Sequence, residues 1–433
     1  MLIEFSVENY LSFKQRETLN MVASSDQSLD NNVNKNVQDT DMNLLKSVGI
    51  YGANGSGKSN LIKALDFMRD FVLKSSKEGQ IDSSIDVRPF KLDQSLLAEP
   101  STFDIVFLWE GVRYQYGFSV NRKEVCSEWF FSYPKKQSRR LFERNKDWKD
   151  FKFGDWSGQK KKLVELTRPN ALFISVASQF NQKLASIVVQ WFEEKLVVIP
   201  DWNVIYQAYI GKLLAGFLHG SEMKPFFTGF LKQADMGILD FKIQKVPIEP
   251  DRKDKMEELF HYLTKKKLPK VDLMDYQIKT FHTGQDERGN EISVPFDFNE
   301  ESDGTQKLFA LSLPILRTFM VKGCLVIDEL DVQLHPLLMK FIIEHIHHHD
   351  PGGQLIFTTH DSHLLNPKLF RRDQIYFTEK SREGATSLYS LWDFKSRKGE
   401  NMEKSYLAGN YGAIPIIDRL FESFDLKDKH LDE

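Results

Sequence analysis

A glycine-rich segment near the N-terminus has the residue types and the spacing needed to hold a phosphate chain. Residues 52–59 read GANGSGKS and match the pattern G-x-x-x-x-G-K-[ST] at every defined position. Glycines let successive backbone N–H groups turn toward phosphate oxygens at the N-terminus of a following helix. We expect Lys58 to bridge the β- and γ-phosphates of a nucleotide and Ser59 to offer its hydroxyl to Mg²⁺. The loop residues expected to surround the phosphates are Asn54, Gly55, Ser56 and Gly57.

A second candidate element is an apolar strand that ends in two acids. Residues 324–329 read CLVIDE. Adjacent carboxylates at the tip of a buried strand are costly unless they meet a cation or a reacting group. We expect Asp328 to hold Mg²⁺ through water or through Ser59, and Glu329 to polarise the attacking water as general base. The alternative is an ordinary acidic junction between a strand and a loop.

A third apolar segment, GQLIFTTH at 353–360, ends in a histidine. In this setting His360 would contact the γ-phosphate and report its hydrolysis to the rest of the molecule. A lone histidine at the end of a strand is more often structural. Its position beyond the acidic strand favours the functional interpretation.

The spacing of apolar residues predicts the elements that position the phosphate loop. Alternation over 2–8 and the apolar run at 44–52 predict strands. Apolar residues at helical spacing predict a helix over 58–73. Alternating segments over 101–144 predict an antiparallel sheet. The order is therefore strand, phosphate loop, helix and then antiparallel strands.

The rest of the chain separates into a helical part and a second alternating part. Helical patterns dominate from about 177 to 275, and short strands alternate with helices again from 292 onward. No a/d heptad pattern runs for several repeats, so a long coiled coil is not expected. We predict an α/β fold in which 1–176 and 286–433 form the two halves of one nucleotide-binding head. The segment 177–285 would be a mainly helical insertion.

Composition and charge exclude several classes of protein. The 433 residues are 41% hydrophobic and 27% charged, which is ordinary for a globular protein. A formal net charge of −3 makes no case for a basic nucleic-acid binder as a whole. Two cysteines exclude a disulfide framework, and no apolar run approaches the roughly 18 residues that a membrane-spanning helix needs. We expect a cytoplasmic protein without a signal peptide and without a membrane partner.

The three candidate segments together resemble those of the ABC-type ATPase heads of the SMC and DNA-repair class. The resemblance implies ATP and Mg²⁺ as ligands and ATP hydrolysis as the activity. It also implies a signature segment before the acidic strand, and ESDGTQKLFAL at 301–311 stands there. Ser302 and Gly304 match the family's S-x-G core, which caps the γ-phosphate bound by the opposite subunit. The resemblance therefore implies homodimers in which two heads sandwich two ATP molecules.

Two further segments resemble parts of these heads. Leu330-Asp331 resembles the loop that follows the general base and crosses the dimer interface. The segment SVENYLSFK at 6–14 resembles the N-terminal strand and loop, whose residues near the nucleotide would be Ser12, Phe13 and Lys14. The fold that this implies is an ABC-type P-loop NTPase head, with a mixed-sheet lobe, an antiparallel β lobe and a helical insertion.

One element of these heads has no clear counterpart. The glutamine of the Q-loop normally stands on the strand after the first helix. Gln80 and Gln94 are both candidates, and RPF at 88–90 is a candidate for the equivalent turn. The residue that links the two lobes is therefore unassigned from the sequence.

Three short motifs carry a narrower resemblance that covers nearly the whole chain. They are LDVQLHP after the acidic strand, RYQYGF at 113–118 and YLAGNYGAIP at 406–415. With them the chain resembles a bacterial group of orphan ATP-binding proteins that includes the ATPase subunits of abortive-infection and PARIS anti-phage defence systems. This resemblance implies an ATP-dependent sensor or scaffold paired with a separately encoded toxin or nuclease effector. The last motif suits a packed turn as well as an interface.

A basic segment at 133–162 offers a further candidate surface. It holds eleven Lys and Arg against four Asp and Glu, interleaved with aromatic residues. Proteins that bind single-stranded nucleic acid use this combination, and so do exposed β-hairpins that must stay soluble. Nucleic acid or an acidic protein is therefore a candidate partner here.

Three rival functions remain to be compared with an ATP-driven switch. A nuclease carrying its own ATPase needs a metal-binding D-x-D pair after the head, and the residues after His360 contain none. A DNA tether of the SMC type needs a long coiled coil. A transporter ATPase fits the N-terminal strand and the insertion poorly. The alternatives kept are a DNA-associated repair-like ATPase and the ATPase component of a nuclease complex.

Overall fold

The computed structural model describes residues 1–134, 137–145, 150–201, 223–234, 237–247, 274–348, 352–395 and 400–415. The strands of its first half are β1 (Leu2–Glu8), β2 (Glu17–Asn20), β3 (Val33–Asn34), β4 (Leu44–Leu45), β5 (Ser47–Tyr51), β6 (Ser101–Trp109), β7 (Val112–Val120), β8 (Val125–Tyr133), β9 (Arg139–Arg144) and β10 (Phe151–Phe153). Those of its second half are β11 (Leu196–Ile199), β12 (Asp240–Pro247), β13 (Met274–Gln285), β14 (Glu291–Asp297), β15 (Cys324–Ile327), β16 (Gln354–Thr358), β17 (Ile375–Lys380) and β18 (Thr386–Ser390). The helices are α1 (Lys58–Lys74), α2 (Lys160–Leu166), α3 (Phe173–Gln179), α4 (Lys183–Gln190), α5 (Met223–Gln233), α6 (Asp303–Val321), α7 (Pro336–His348) and α8 (Met402–Leu407).

The central sheet brings together strands from distant parts of the chain. Its order is β11-β15-β16-β5-β17-β18, and every pair is parallel except β17 with β18. The strands β15, β16 and β5 are therefore neighbours that run in one direction. Because parallel neighbours lie about 4.8 Å apart, the carboxyl ends of these three strands meet within about 10 Å. Each of the three predicted chemical segments follows one of these ends.

A second sheet is antiparallel and is built mainly from the first part of the chain. Its order is β10-β9-β8-β7-β6-β1-β2. The turn at Glu110-Gly111 joins β6 to β7, with Trp109 opposite Val112. The predictions of strands over 2–8 and 44–52, of a helix over 58–73 and of an antiparallel sheet over 101–144 are confirmed. The mixed sheet and the antiparallel lobe of the predicted α/β fold are both present.

Two large hydrophobic clusters of buried residues lie one on each face of the central sheet, and a small third cluster includes Met1 and Leu44. On one face α1 is sandwiched between the central and antiparallel sheets, and its buried residues include Leu61, Leu65 and Met68. On the other face α6 and α7 pack against β15 and β16. Helices on both faces explain why the central strands are apolar along their whole length instead of alternating. The longest described helix is α6, with 19 residues.

The described part of the middle of the chain contains strands that the predicted helical insertion did not include. The predicted helix over 183–196 is present as α4 and a following π-helical turn, Trp191–Lys195. However, β11 belongs to the central sheet, and β12, β13 and β14 form a separate three-stranded sheet. The described residues of 177–285 therefore contain strands as well as helices. The helix predicted over 251–267 lies outside the described residues.

The small sheet of β12 to β14 is attached to α6. Phe227 on α5 and Phe241 on β12 each contact the ring of Phe309 on α6, with centroids 5.2 Å and 5.3 Å apart.

Within the described ranges, no helix is both long enough and apolar enough to cross a membrane.

A buried ion pair joins the antiparallel sheet to the helices packed on it. Glu128 on β8 and Arg144 on β9 are fully buried, and Nη1 of the arginine lies 3.7 Å from Oε2 of the glutamate. The Glu128 carboxylate also accepts the backbone N–H groups of Phe173 at 2.7 Å and Ile174 at 3.0 Å. These amides open α3, where a negative charge is favoured by the helix dipole. Burial raises the pKa of Glu128, while Arg144 and the two amides lower it.

Removing this carboxylate should destabilise the fold strongly. Glu128→Ala leaves the Arg144 charge buried without its partner, so we expect the free energy of unfolding to fall by about 3–5 kcal/mol. Urea unfolding followed by circular dichroism measures the change. The control is Glu143→Ala, which removes a half-exposed partner of Arg140 from the same sheet and should cost less than about 1 kcal/mol. Equal losses in the two variants would contradict the assignment.

Candidate nucleotide-binding site

The phosphate loop connects β5 to α1 at the centre of the sheet. Lys58 is buried, and its Nζ donates to the carbonyl oxygens of Gly52 at 2.8 Å and Ala53 at 3.1 Å. Gly57 has φ of 114°, and a Cβ at this position would collide with Thr386. Only glycine therefore fits at Gly57, both for its backbone conformation and for its close approach to β18. Contacts within the chain therefore determine the shape of the loop.

Hydroxyl groups from neighbouring strands hold the loop in place. Ser56 Oγ lies 2.6 Å from Thr378 Oγ1 on β17, and Thr386 Oγ1 on β18 lies 2.7 Å from the Ser56 carbonyl oxygen. Asn60 Nδ2 donates to Ser12 Oγ at 2.8 Å. Thr378, Thr386 and Asn60 were not predicted as site residues. No local motif marks the two threonines, because their role depends on the order of β5, β17 and β18 in the sheet.

The acidic pair is positioned by a threonine on the next strand. Thr358 Oγ1 donates to Asp328 Oδ1 at 2.5 Å and accepts the Glu329 N–H at 2.7 Å. The Asp328 side chain is buried, whereas Glu329 is exposed. Glu329 has φ of 50°, a left-handed conformation that costs free energy for a residue other than glycine.

His360 follows β16 and faces the same region. Its backbone N–H donates to Asp331 Oδ2 at 3.1 Å, which joins the residue to the loop after Glu329. Partial burial and the nearby Lys58 lower the pKa of the His360 imidazole. This shift favours the neutral imidazole, which has one N–H donor and one acceptor.

These segments enclose a cleft of about 350 Å³. It is lined by Asn54, Gly55, Ser56, Gly57, Lys58, Ser59, Asn60, Glu329 and His360. The structure thus brings together the predicted loop, the predicted base and the predicted histidine, with Asp328 buried beside them. Ser302 and Gly304 are not among the residues that line this cleft. Ser302 is exposed at the start of α6, where its Oγ accepts the Thr305 N–H at 3.2 Å.

A second cleft of about 300 Å³ adjoins the first, because Asn60 lines both. Its other residues include Ser12 and the 88–90 turn. The Leu11 N–H donates to the Arg88 carbonyl oxygen at 2.8 Å, so the N-terminal loop and this turn are in contact. Phe13 is fully buried, and Lys14 forms an ion pair with Asp93 at 3.0 Å. Of the three N-terminal residues expected near the nucleotide, Ser12 lines this second cleft.

The Q-loop glutamine has no assigned counterpart. Gln80 and Gln94 both lie in exposed segments, and neither lines the cleft at the phosphate loop. The structure adds Asn60 as a polar residue that connects the two clefts.

The motif at 406–415 packs against β17 and against the end of β5, the strand that precedes the phosphate loop. Tyr406 and Tyr411 stack on Phe377 of β17, with ring centroids 5.4 Å and 5.7 Å apart. The ring of Tyr406 also packs edge-on against that of Tyr51, the last residue of β5, with centroids 6.3 Å apart. In the described residues this motif therefore forms a packed turn that supports the strand before the loop.

The aromatic residues of the basic segment 133–162 are mostly turned inward. Phe142 and Trp156 are buried, and Phe151 and Phe153 are half-buried against Phe173 of α3. These rings are packed together and are not displayed for stacking on bases. Trp148 lies outside the described residues. A nucleic acid or acidic protein at this segment stays a prediction, now resting on its charges.

The site and the sheets define a class of protein. A phosphate loop after β5, an acidic pair after β15, a histidine after β16 and an adjoining antiparallel lobe define an ABC-type P-loop ATPase head of the SMC-like kind. Residues 47–366 match the family described as "AAA domain, putative AbiEii toxin, Type IV TA system", and the chain belongs to this family.

Individual proteins match this chain over a shorter segment or at a lower sequence identity. The Septu protein PtuA of Bacillus mycoides (strain KBAB4) is 30% identical over 135 residues, which are 29% of this chain and 18% of that protein. The SMC head domain from Thermotoga maritima has a TM-score of 0.40 at 12% identity, covering 90% of this chain and 98% of that one. An SmcHead bound to the C-winged helix domain of ScpA has a TM-score of 0.42 at 12% identity, with 90% and 97% covered. The family assignment rests on the match over 47–366, and the fold rests on the strand order.

The buried lysine predicts a pH dependence for nucleotide binding. Burial lowers the pKa of Lys58 to about 8, and the nearby carboxylates act in the opposite direction. A bound triphosphate favours the protonated ammonium, so binding above pH 8 must take up a proton. We expect the affinity for ATP to fall as pH rises above about 8, by up to about tenfold per pH unit.

Calorimetry in buffers of different ionisation enthalpy measures this proton uptake. Lys58→Arg is the control, because a guanidinium stays protonated throughout this range. An affinity of the unmodified protein that is constant from about pH 7 to about pH 9.5 would contradict the assignment.

Proposed function

We propose that this protein binds ATP with Mg²⁺ and hydrolyses it at composite sites formed between two copies of the chain. The observation that carries the proposal is the placement of four segments. The phosphate loop, Glu329 and His360 line one cleft, while the signature residues Ser302 and Gly304 stand outside it on an exposed helix start. A second copy is the natural source of a signature segment for each cleft.

The proposed roles follow from position and chemistry. Lys58 and the loop amides bind the phosphates, and binding must release Lys58 from the carbonyls of Gly52 and Ala53. Glu329 orients and polarises the attacking water as general base. His360 donates from its imidazole N–H to the γ-phosphate, and Asp331, which accepts the His360 backbone N–H, lies in the loop at the proposed dimer interface.

The residues present fit a magnesium ion. Ser59 offers a hydroxyl oxygen and Asp328 a buried carboxylate, and oxygen ligands are those that Mg²⁺ prefers. Thr358 holds the Asp328 carboxylate in place through one of its oxygens. A bound magnesium ion would neutralise charge on the β- and γ-phosphates.

We further propose that ATP-driven pairing of the heads controls a separately encoded toxin or nuclease effector in anti-phage defence. The family description names a putative toxin of a toxin–antitoxin system, and one partial relative is a Septu protein. The narrower sequence resemblance implies the same role. Binding energy from ATP closes the pair and hydrolysis reopens it, which changes how the effector is held.

The general base is tested by Glu329→Gln. The amide keeps the shape but cannot accept a proton, so we expect turnover to fall by about 100-fold or more while ATP binding persists. Light scattering with ATP and Mg²⁺ should show a stable dimer, and this dimer should retain the effector when it is purified from host cells. Glu383→Gln, at an exposed position near the end of β17, is the matched control. Normal hydrolysis by Glu329→Gln would reject the assignment.

The composite site is tested by Ser302→Arg. An arginine at the exposed start of α6 blocks the approach of a partner's nucleotide but lies outside the chain's own cleft. We therefore expect ATP to bind to monomers with little change in affinity, while hydrolysis and dimer formation are lost. Mixing Ser302→Arg with Lys58→Ala should restore part of the activity, because one intact composite site can form. Normal hydrolysis by monomers of the variant would exclude the shared site.

A further inference from the structure

Lys307 is a fully buried lysine on α6, five residues after the signature serine Ser302. Its Nζ donates to three backbone carbonyl oxygens, those of Glu329 at 3.0 Å, Leu330 at 3.2 Å and Val332 at 2.6 Å. An ammonium group has three hydrogens to donate, so these contacts match its full capacity. The lysine thus fastens the signature helix to the turn that follows the acidic strand.

This turn, residues 329–333, contains both the proposed general base and the proposed interface residue. Glu329 and Gln333 have φ of 50° and 62°, so the backbone is left-handed at two positions that are not glycine. Such a conformation persists only where surrounding contacts hold it. The carbonyl of Glu329, at one of the two strained positions, is among those that Lys307 binds.

A second contact from the signature segment reaches the same turn. A Cβ on Gly304 would lie 2.8 Å from the Gln333 carbonyl oxygen, so only glycine lets α6 approach this closely. On the opposite side, the Leu330 N–H donates to the Thr358 carbonyl oxygen at 3.0 Å. The turn is therefore held between α6 and the end of β16.

We propose that Lys307 is a positioning residue for hydrolysis, which acts by holding the backbone of Glu329 and Asp331 in their working conformation. This inference rests on the proposed function. In the proposed dimer, Ser302 and Gly304 of one subunit contact the ATP bound to the partner. Glu329 of that same subunit acts on the ATP bound to its own phosphate loop. Lys307 then links the two sites, because a shift of α6 on contact with the partner moves the turn that carries the base.

A charged group is suited to this task. Each carbonyl accepts a hydrogen bond from a cation, which is stronger than one from a neutral donor. Burial lowers the pKa of Lys307 to about 8, while Asp331 and Glu329 act in the opposite direction, so the ammonium persists at neutral pH. The cation is also near the two carboxylates whose loop it orders.

The test compares Lys307→Met with Lys307→Gln. Methionine fills the space without a donor, and glutamine keeps an uncharged donor that is one bond shorter. A small displacement of a catalytic group is enough to cost about 100-fold in rate. We expect kcat to fall by about 100-fold in the methionine variant and by at least about tenfold in the glutamine variant, with the Kd for ATP changed by less than about threefold. Lys322→Met, at the exposed end of the same helix, should hydrolyse ATP normally.

A double-mutant cycle separates positioning from a general structural role. If Lys307 acts through Glu329, adding Lys307→Met to Glu329→Gln should leave the residual rate unchanged. Additive losses, a normal kcat in either Lys307 variant, or failure of both variants to fold would overturn the positioning role. If Glu329→Gln itself hydrolyses ATP normally, the proposed function fails instead, so the two failures are distinguishable.

Discussion

Parallel pairing of β15, β16 and β5 is the constraint on which the rest of the site depends. Hydrogen bonds between these strands fix their ends at one edge of the sheet, and the three chemical segments begin at those ends. Such strands are stable only when both faces are covered. The α1 helix covers one face and α6 with α7 covers the other, and α1 and α6 also carry parts of the proposed site. Packing and chemistry are therefore supplied by the same helices.

The loops beyond the strand ends need a different kind of support. Threonines near the ends of three strands provide it, namely Thr358, Thr378 and Thr386, through hydroxyl contacts to the acidic pair and to Ser56. A threonine hydroxyl is both donor and acceptor, and its β-branched side chain has few rotamers. Lys307 does the same for the turn after Glu329 with a single cation. The site is thus held by polar contacts from elements remote in sequence.

The sequence predicted those parts of the fold and site that local patterns determine. Alternation and helical spacing located β1, β5, α1 and the antiparallel sheet, and the phosphate loop carries its chemistry in consecutive residues. Thr386 and Lys307 could not be found in this way, because their partners are chosen by strand order and helix packing. The strands β12 and β13 were missed for a different reason. Their alternation of charged and apolar residues is typical of strands. The neighbouring segments have helical spacing, however, and that spacing led to a helical prediction for the whole region.

The motif at 406–415 shows the opposite relation. Its sequence is distinctive, yet the sequence alone left a packed turn and an interface as alternatives and gave no chemical role. The structure supplies one through the stacking of Tyr406 and Tyr411 on Phe377 and the contact of Tyr406 with Tyr51. A conspicuous motif can therefore serve packing near a site, while an inconspicuous lysine contacts the loop of the proposed base.

The strand order has a consequence for how the protein is made. The antiparallel sheet pairs strands that are mostly close in sequence, so much of it can form early on a growing chain. The phosphate loop is synthesised early as well, but the neighbours of β5 are β16 and β17, about 300 residues later. Thr386, which fits against Gly57, is added later still. A nascent chain therefore contains the nucleotide-binding motif long before it can form the complete site. ATP binding can stabilise the fold only when synthesis is nearly complete.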